Sequence, residues 1–459
     1  MLGFILKSIV NSLRTLGTTL KVPDLRKKIL LTFLLVCVYR LGSYIPTPGI
    51  NAKALAEFLE GLVKARGGTL FNIMDLFSGG NISRATIFAL GIMPYISASI
   101  IIQLLCAVIP YLEKLAKEGE AGRKKILQYT RYLTVLLSII QSFFIGLWLE
   151  NPAHFEGVNM VLFKGWGFRL LTILTLTSGT AFIMWLGEQI TEYGIGNGSS
   201  FIITVGIISR IPTALQLLFS LASPFDISKS EIKPLALLFL GIMMIAVIVA
   251  VIMLTQGQRK IPVQYAKRII GRKVYGGQST YIPLRINHAS VIPIIFASSI
   301  LMFPRTIAGL VGGGAFDTFA RWLEHGRFLY TTTYALLIIF FCYFYTAITL
   351  NPIELADNMK KYGGFIPGVR PGKPTAEYFD FILTRITLPG AIFLAIIAVL
   401  PELISGALRI HYMIASFFGG TSLLIMVGVM LDSIRLIESQ LLMRHYDGFI
   451  KSGRIKGRR

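Results

Sequence analysis

Ten membrane-spanning helices in two inverted halves of five is the fold class this sequence predicts, and three observations predict it. The first is composition. Of 459 residues, 54% are hydrophobic types and 15% are charged, where a soluble domain carries about 45–50% and about 25%. That balance excludes an ordinary soluble enzyme and a disordered chain. Apolar stretches of spanning length recur at 27–45, 84–111, 126–148, 168–187, 200–221, 234–255, 289–308, 329–350, 386–405 and 412–435. The second is the placement of Lys and Arg: 29 fall on the tail side of these spans and 10 on the opposite side. An even span count puts both tails together, and the excess assigns that side to the cytoplasm. The net charge of +22 thus reads as orientation and attraction to anionic lipid. The third is an internal echo. Pro94-Tyr-Ile-Ser-Ala-Ser-Ile-Ile101 and Pro293-Ile-Ile-Phe-Ala-Ser-Ser-Ile300 match at five of eight positions, in the second and seventh spans. Five spans per half is odd, so the halves are inverted, and such repeats place a pathway at their interface.

The chain divides into a segment 1–26, an N-terminal half 27–222, a C-terminal half 223–435 and a tail 436–459. In the first segment Leu2, Leu6, Ile9, Leu13, Leu16 and Leu20 recur every three or four residues, a helix fit to lie on the cytoplasmic membrane surface. It lacks the layout of a cleavable signal. Ahead of the second span, Leu70-Phe-Asn-Ile-Met-Asp-Leu-Phe-Ser-Gly-Gly80 is apolar but too short to cross. It reads as a re-entrant or interfacial half-helix, and the sharper of these readings seats it in a cavity on the outer side. Pro94 and Pro293 predict bent or loosened second and seventh spans. Gly194-Ile-Gly-Asn-Gly198 lacks the context of a nucleotide loop and reads as a tight cytoplasmic turn.

Two cytoplasmic loops, 256–288 and 351–385, are long and basic. The first holds Arg259, Lys260, Lys267, Arg268, Arg272, Lys273 and Arg285 with no acidic residue; the second holds Lys360, Lys361, Arg370, Lys373 and Arg385 around a Pro/Gly run. The orientation rule accounts for many of these charges but not for the length of the loops. A projecting basic platform suits ribosomal RNA or an acidic protein surface.

Catalytic chemistry is not predicted. The five histidines are scattered, and no HExxH, GxSxG or Walker lysine loop occurs. Cys37, Cys106 and Cys342 lie in apolar stretches without a CxxC pair, so neither a disulfide framework nor a metal site is expected, and no cofactor. Arg40, Arg131, Arg169 and Arg210 read as snorkelling residues near span ends, and no Asp or Glu lies mid-span. A pathway without buried charge suits a passive conduit with an apolar constriction.

At this point the residues resemble the SecY family, the central channel subunits of the bacterial Sec translocase. The resemblance runs nearly end to end. It rests on Arg40-Leu-Gly-Ser-Tyr-Ile-Pro-Thr-Pro-Gly-Ile50, Leu76-Phe-Ser-Gly-Gly80, the stretch from Ala89 to Leu105, Glu118-Gly-Glu-Ala-Gly-Arg123, Trp185-Leu-Gly-Glu-Gln-Ile-Thr191, Gly194–Gly198, Asn351-Pro352, Pro367-Gly-Val-Arg-Pro-Gly372 and Phe418-Gly-Gly-Thr-Ser-Leu-Leu-Ile425. It implies a protein-conducting channel of the bacterial cytoplasmic (inner) membrane. Unfolded preproteins would cross it, and signal sequences and membrane segments would leave it sideways into lipid. The resemblance implies a pore ring at Ile92, Ile96, Ser199, Ile203, Ile295 and Ile425, with Ser199 departing from the usual isoleucine. It implies a plug at about 70–82, with Leu70, Phe71, Ile73, Met74, Leu76, Phe77, Ser78, Gly79 and Gly80. It implies a lateral gate between the second and seventh spans, with Pro94, Ser97, Ser99, Gln103, Pro293, Ser298 and Ser299. Docking of the SecA motor or the ribosome would fall on Arg370, then on Arg272 and Lys273, with Arg259, Lys267 and Arg268 beside them. SecE and SecG would be the companion subunits, and energy would come from SecA or the translating ribosome.

Two other readings share features of the sequence. A secondary transporter shares inverted repeats and broken helices but calls for buried coupling carboxylates. A lipid scramblase or insertase calls for a hydrophilic stripe, for which the sequence offers the Ser97, Ser99 and Gln103 group.

Overall fold

Proline and short polar caps set where many of the helices begin. The computed structural model describes residues 22–51, 54–55, 57–58, 75, 78–155, 158–222, 234–265, 268–270, 273–275, 279–288, 291–311, 328–408, 414–415, 417 and 420–452. The chain runs through α1 (Pro23–Gly42), α2 (Met93–Val108), α3 (Pro110–Lys117), α4 (Glu120–Glu150), α5 (Trp166–Tyr193), α6 (Gly198–Ala222) and α7 (Pro234–Gln256). Four strands follow, β1 (Gln258–Tyr265), β2 (Arg268–Ile270), β3 (Lys273–Tyr275) and β4 (Ser279–Arg285). Then come α8 (Ile292–Val311), α9 (Phe328–Thr349), α10 (Pro352–Lys361), β5 (Gly364–Phe365), α11 (Lys373–Leu408) and α12 (Thr421–Ser452).

Ten of these helices occupy the ten positions read from hydropathy; α3 and α10 are the additional two. Among the described residues six helices are long and apolar enough to cross a membrane, or seven if the bent pair α2–α3 is one span. That pair turns by 101°. The break is at Ile109, held extended at φ −92°, ψ 116° because Pro110 disfavours the helical conformation for the residue before it.

Three expectations need correction. The second span was placed at 84–111, but residues 81–92 are turns and the helix starts at Met93. Bridge pairing of Pro46 with Thr86, and the Thr47 N–H to Ala85 carbonyl bond of 2.7 Å, tie those turns to the segment after α1. Pro94 and Pro293 do not bend their helices. Each is the second residue of its helix, where the missing N–H would have had no intrahelical acceptor. The echoed motifs therefore open α2 and α8 at the same register. The prolines inside helices are Pro212 in α6 and Pro389 and Pro401 in α11. Finally, α1 begins at Pro23, inside the segment assigned to the amphipathic N-terminus; residues 1–21 of that segment lie outside the described residues.

The chain divides into two compact units. The first comprises Met1–Ile102, Glu120–Pro212 and Ile425–Arg459. Its backbone is the hairpin of α4 on α5. Thr130, Thr134, Ser138, Ser142 and Gly146 recur every four residues and are all buried. Small side chains of this kind let helices approach closely without a bulky interface. A Cβ on Gly146 would come within 3.9 Å of the Arg169 Cα, which locates the stripe against α5. Two ion pairs hold the ends of the hairpin. Arg131 meets Glu188 through two bonds of 2.9 and 2.7 Å, and Arg169 meets Glu150 at 2.7 Å. The snorkelling assigned to these two arginines is thus replaced by pairing across the hairpin.

The second unit comprises Gln103–Gly119 and Thr213–Leu424. Phe296 of α8 sits edge-on to Phe341 of α9, with ring centres 5.8 Å apart. Leu218, Leu240, Ile404, Ile414 and Ala415 form one apolar cluster. The two basic loops are not separate. β1 pairs antiparallel with β4, from Gln258 opposite Arg285 to Gln264 opposite Ser279. Its other edge takes β5 of the second loop, with Gln264 opposite Phe365 and Tyr265 opposite Gly364. The helical reading thus stands with two additions, a three-stranded sheet in the order β4-β1-β5 and the two-stranded hairpin β2-β3.

Candidate functional site

In the first unit the descent from the predicted plug into α2 is a closely fitted seat. Phe88 anchors it. Its ring stacks on Tyr39 at 5.8 Å and on Phe182 at 6.1 Å. A Cβ on Gly42 would collide with the Phe88 ring, and one on Gly179 with the Ile87 carbonyl. These two glycines in α1 and α5 are the cavities into which the Ile87-Phe88 step fits.

Just upstream, Asp75 and Ser78–Ser83 lie against α6. The Asp75 carbonyl accepts the Gly80 N–H at 2.8 Å and the Ser78 hydroxyl at 3.2 Å. The Asp75 carboxylate accepts the Ser83 N–H at 2.8 Å and forms an ion pair with Arg210. The same guanidinium donates to Ser83 Oγ at 2.9 Å. Tyr39 donates its hydroxyl to the Ser78 carbonyl and accepts from Asn81 Nδ2, each at 3.3 Å. Ser209 donates to the Gly79 carbonyl at 3.2 Å. Gly79 has φ +72°, and a Cβ there would sit 2.6 Å from the Gly206 Cα. Both the backbone conformation and the approach require glycine. Arg210 is thus held by a carboxylate and a hydroxyl, not by snorkelling. Asp75 was not singled out from the sequence, although an ionisable residue at membrane depth signals a partner by default.

Of the predicted plug residues, Ser78 and Gly79 are placed in this seat, and Gly80 (φ +89°) lies beside the Arg210 guanidinium. Leu70, Phe71, Ile73, Met74, Leu76 and Phe77 lie outside the described residues. Of the predicted ring, Ile92, Ile96, Ile203 and Ile425 are all buried in the first unit. Gly187 of α5 faces both Ile92 Cδ1 and the Ser199 backbone, 3.6 Å from where its Cβ would be. Ser199 is a first-turn residue of α6, and its hydroxyl donates to Asn197 Oδ1 at 2.7 Å. That carbonyl also accepts the Ser199 N–H at 3.1 Å, so Asn197 is the cap of the helix and Ser199 reinforces it. The glycine turn is as tight as read. Thr32 Oγ1 accepts the Ile195 N–H at 3.2 Å, and Thr191 Oγ1 accepts the Gly198 N–H at 2.9 Å. Ile295 is buried in the second unit.

Among the predicted gate residues, Pro94 is buried and Ser97 and Ser99 are half-buried along α2, as is Gln103. On α8, Pro293 is buried, and Ser298 and Ser299 both donate to the Ile295 carbonyl, at 2.9 and 2.8 Å. Such back-bonding competes with the helical ladder and bends helices. Any loosening of α8 therefore comes from the two serines that follow Ile295, not from Pro293.

The platform of the second unit has an apolar inside. Ile261, Val263 and Leu284 of the sheet pack with Met359, Ile366, Phe379, Ile382, Leu383 and Ile386. Its charges face outward: Arg259, Lys260, Arg285, Lys360, Lys361 and Arg370 are exposed. Ile366 accepts the Val369 N–H at 3.1 Å across Pro367-Gly368, with Gly368 at φ +83°, which is the type II turn that Pro-Gly favours. The Arg370 carbonyl accepts the Thr375 hydroxyl at 2.8 Å. Arg370 is thus presented at the tip of a loop fixed on both sides. Arg268 and Lys273 lie on the β2–β3 hairpin, while Lys267 and Arg272 lie outside the described residues. Helix α3 carries its own pair, in which Lys117 Nζ lies 2.6 Å from Glu113 Oε1 and holds that exposed carboxyl below its ordinary range.

The chain is similar to known proteins in both sequence and fold. The sequence profile of the SecY family matches residues 86–434. The chain is 46% identical over 438 residues to protein translocase subunit SecY of Escherichia coli (strain K12), covering 95% of this chain and 96% of that one. It is 45% identical over 457 residues to the subunit of the same name from Mycobacterium tuberculosis (strain ATCC 25618 / H37Rv), covering 97% and 100%. Among solved structures, a protein conducting channel superposes with TM-score 0.63 at 18% identity over 91% of this chain and 93% of the other. A SecY channel studied for the role of its plug domain in stabilizing the closed state and maintaining a membrane seal gives TM-score 0.63 at 18% identity, over 91% and 92%. Sec61 from a canine ribosome–channel complex of the endoplasmic reticulum gives TM-score 0.60 at 17% identity, over 91% and 93%.

Proposed function

The chain belongs to the SecY family, and on that premise we propose that it is the polypeptide-conducting subunit of a bacterial protein translocase. The near end-to-end likeness to translocase subunits carries the reading. It is a multi-pass membrane protein. The cytoplasmic placement of both tails, in the inner membrane, rests on the 29 to 10 division of Lys and Arg.

Residues about 70–82 are the plug, rooted on α6 through Asp75 and Ser78–Ser83. The likeness to a SecY channel whose plug domain maintains a membrane seal supports this. Ile92, Ile96, Ser199, Ile203, Ile295 and Ile425 line the constriction, where apolar side chains exclude water and ions yet impose no hydrogen-bond pattern on a passing chain. Helices α2 and α8 flank the lateral gate, through which the apolar helix of a signal sequence partitions into lipid. The platform is the docking surface. Its exposed cations suit a polyanion, and the likeness to a channel from a ribosome complex supports the ribosome as one occupant. The SecA motor is the other, and each would supply the driving energy. SecE and SecG are the companion subunits.

Photocrosslinking during arrested export tests the reading. Probes at Ile96, Ile203, Ile295 and Ile425 capture the exported chain, whereas a probe at the exposed Ile245 of α7 does not. Export that continues with no ring probe touching the substrate removes the pore assignment.

A further inference from the structure

We propose that Asp75 and Arg210 form the latch of the plug, an ion pair that holds the root of the plug on α6 and must part for the plug to leave. This deepens the plug reading and rests on it. The two side chains are 12% and 16% exposed. Their surroundings are the glycine-on-glycine contact of Gly79 with Gly206 and single hydrogen bonds of 3.2 to 3.3 Å from Ser209 and Tyr39. At this root neither glycine offers a side chain to bury, so polar ties carry the attachment, and the ion pair is the strongest of them.

The pair is also placed where its strength depends on water. Two opposite charges in a dry site attract strongly and neither tolerates being left alone, whereas the same two charges in water hold each other weakly. A latch of this kind is firm while the seat is dry and slack once the vestibule floods. Arg40 strengthens the effect. It lies close enough to Arg210 for the two like charges to repel, and its Nη1 is buried without an acceptor among the described residues. The Asp75 carboxylate is therefore the counter-charge of a seat that is otherwise cationic. Its departure leaves the repulsion between the two guanidinium charges unopposed until water or another anion arrives. Ser83 keeps the geometry, since its N–H holds the carboxylate and its hydroxyl holds the guanidinium.

The test is the resting chloride leak of proteoliposomes containing the intact complex, without translocating substrate. Asp75→Arg and Arg210→Asp each raise the leak by about tenfold or more, as expected when one state of a two-state element loses a differential interaction. The exchanged double variant, Asp75→Arg with Arg210→Asp, returns it to within about threefold of the unaltered complex. Deletion of residues 70–80 is the reference for a missing plug. Single variants that stay tight while the deletion leaks overturn the latch and leave the plug intact. An exchanged variant that leaks as much as the single ones also overturns it, because a merely structural role would not be rescued by exchange. A deletion that does not leak overturns the plug reading itself. Should a reversed variant fail to assemble, Asp75→Asn, which keeps the volume, decides: a several-fold leak supports the latch, and a tight channel refutes it.

Discussion

The seat around Asp75 and the platform around Arg370 use arginine in opposite ways. In the seat the guanidinium is turned inward and matched by a carboxylate, and the backbone approaches so closely that Gly79 must be glycine. In the platform an apolar cluster fills the inside and the cations are turned outward on turns of fixed geometry. A charge that is matched within the chain sets the chain's own conformation. A charge displayed from a rigid tip is available to something else. Substitutions in the seat should therefore register as leak and instability, and those in the platform as lost docking with the channel still sealed.

The largest effect expected on this contrast comes from Gly79→Leu. The side chain meets the Gly206 Cα, and the left-handed backbone adds strain, together about 2–4 kcal/mol. The seat then fails to close, with high resting leak and a lower melting temperature, while ribosome and motor binding are unchanged. A tight, stable Gly79→Leu channel would mean that the root of the plug is not docked as described.

Next is Ile366→Ala. Ile366 is 3% exposed in the platform core, and its truncation costs about 2–4 kcal/mol locally. Hydrogen exchange over β1 and β4 should quicken, and docking should weaken because the turn that presents Arg370 hangs on this residue. The leak should not change. A smaller and cleaner effect is expected of Arg370→Glu. Docking of the ribosome or the motor falls by about tenfold, with melting temperature, β1 exchange and leak all unaltered. If Arg370→Glu lowered stability as Ile366→Ala does, the separation between inward and outward residues would be lost.

The two regions also differ in what the sequence disclosed. Ten apolar stretches announce ten helices because spanning length and hydropathy are local properties. Arg370 was singled out through the family resemblance, one piece of which, Pro-Gly-Val-Arg-Pro-Gly, is written in consecutive residues. The sheet was not found. β1 buries only Ile261 and Val263 in an otherwise exposed strand, with Lys260 and Pro262 between and beside them, too little alternation to read. Its pairing with β5 joins residues about a hundred apart. Asp75 escaped for the same reason. Its partner lies in a distant helix, and the carboxylate sits in a run that looks uniformly apolar. The small-residue stripe from Thr130 to Gly146 was in plain view, its four-residue period being a helix-interface signal that hydropathy alone passes over.

The smallest effect tests whether the platform also has an inward polar contact of the seat's kind. His288, half-buried after β4, accepts the Arg285 N–H on Nε2 at 3.3 Å. Burial, and then the Arg285 charge, push its imidazole below the ordinary range near 6.5. A depressed imidazole means that the unfolded strand binds a proton more readily than the folded one. The contact is thus fully kept above about pH 6.5 and weakens as the pH falls from there toward the depressed folded value. Protonation also removes the lone pair that receives the Arg285 N–H. Protection of the Arg285 amide, compared with a His288→Gln variant at each pH, should therefore drop between pH 7.5 and 5.5 in the unaltered protein and stay level in the variant. The drop should be modest, because a half-buried ring is still screened by water. A level profile in both proteins would show that the His288 contact adds nothing to the hairpin beyond its backbone ladder and apolar core.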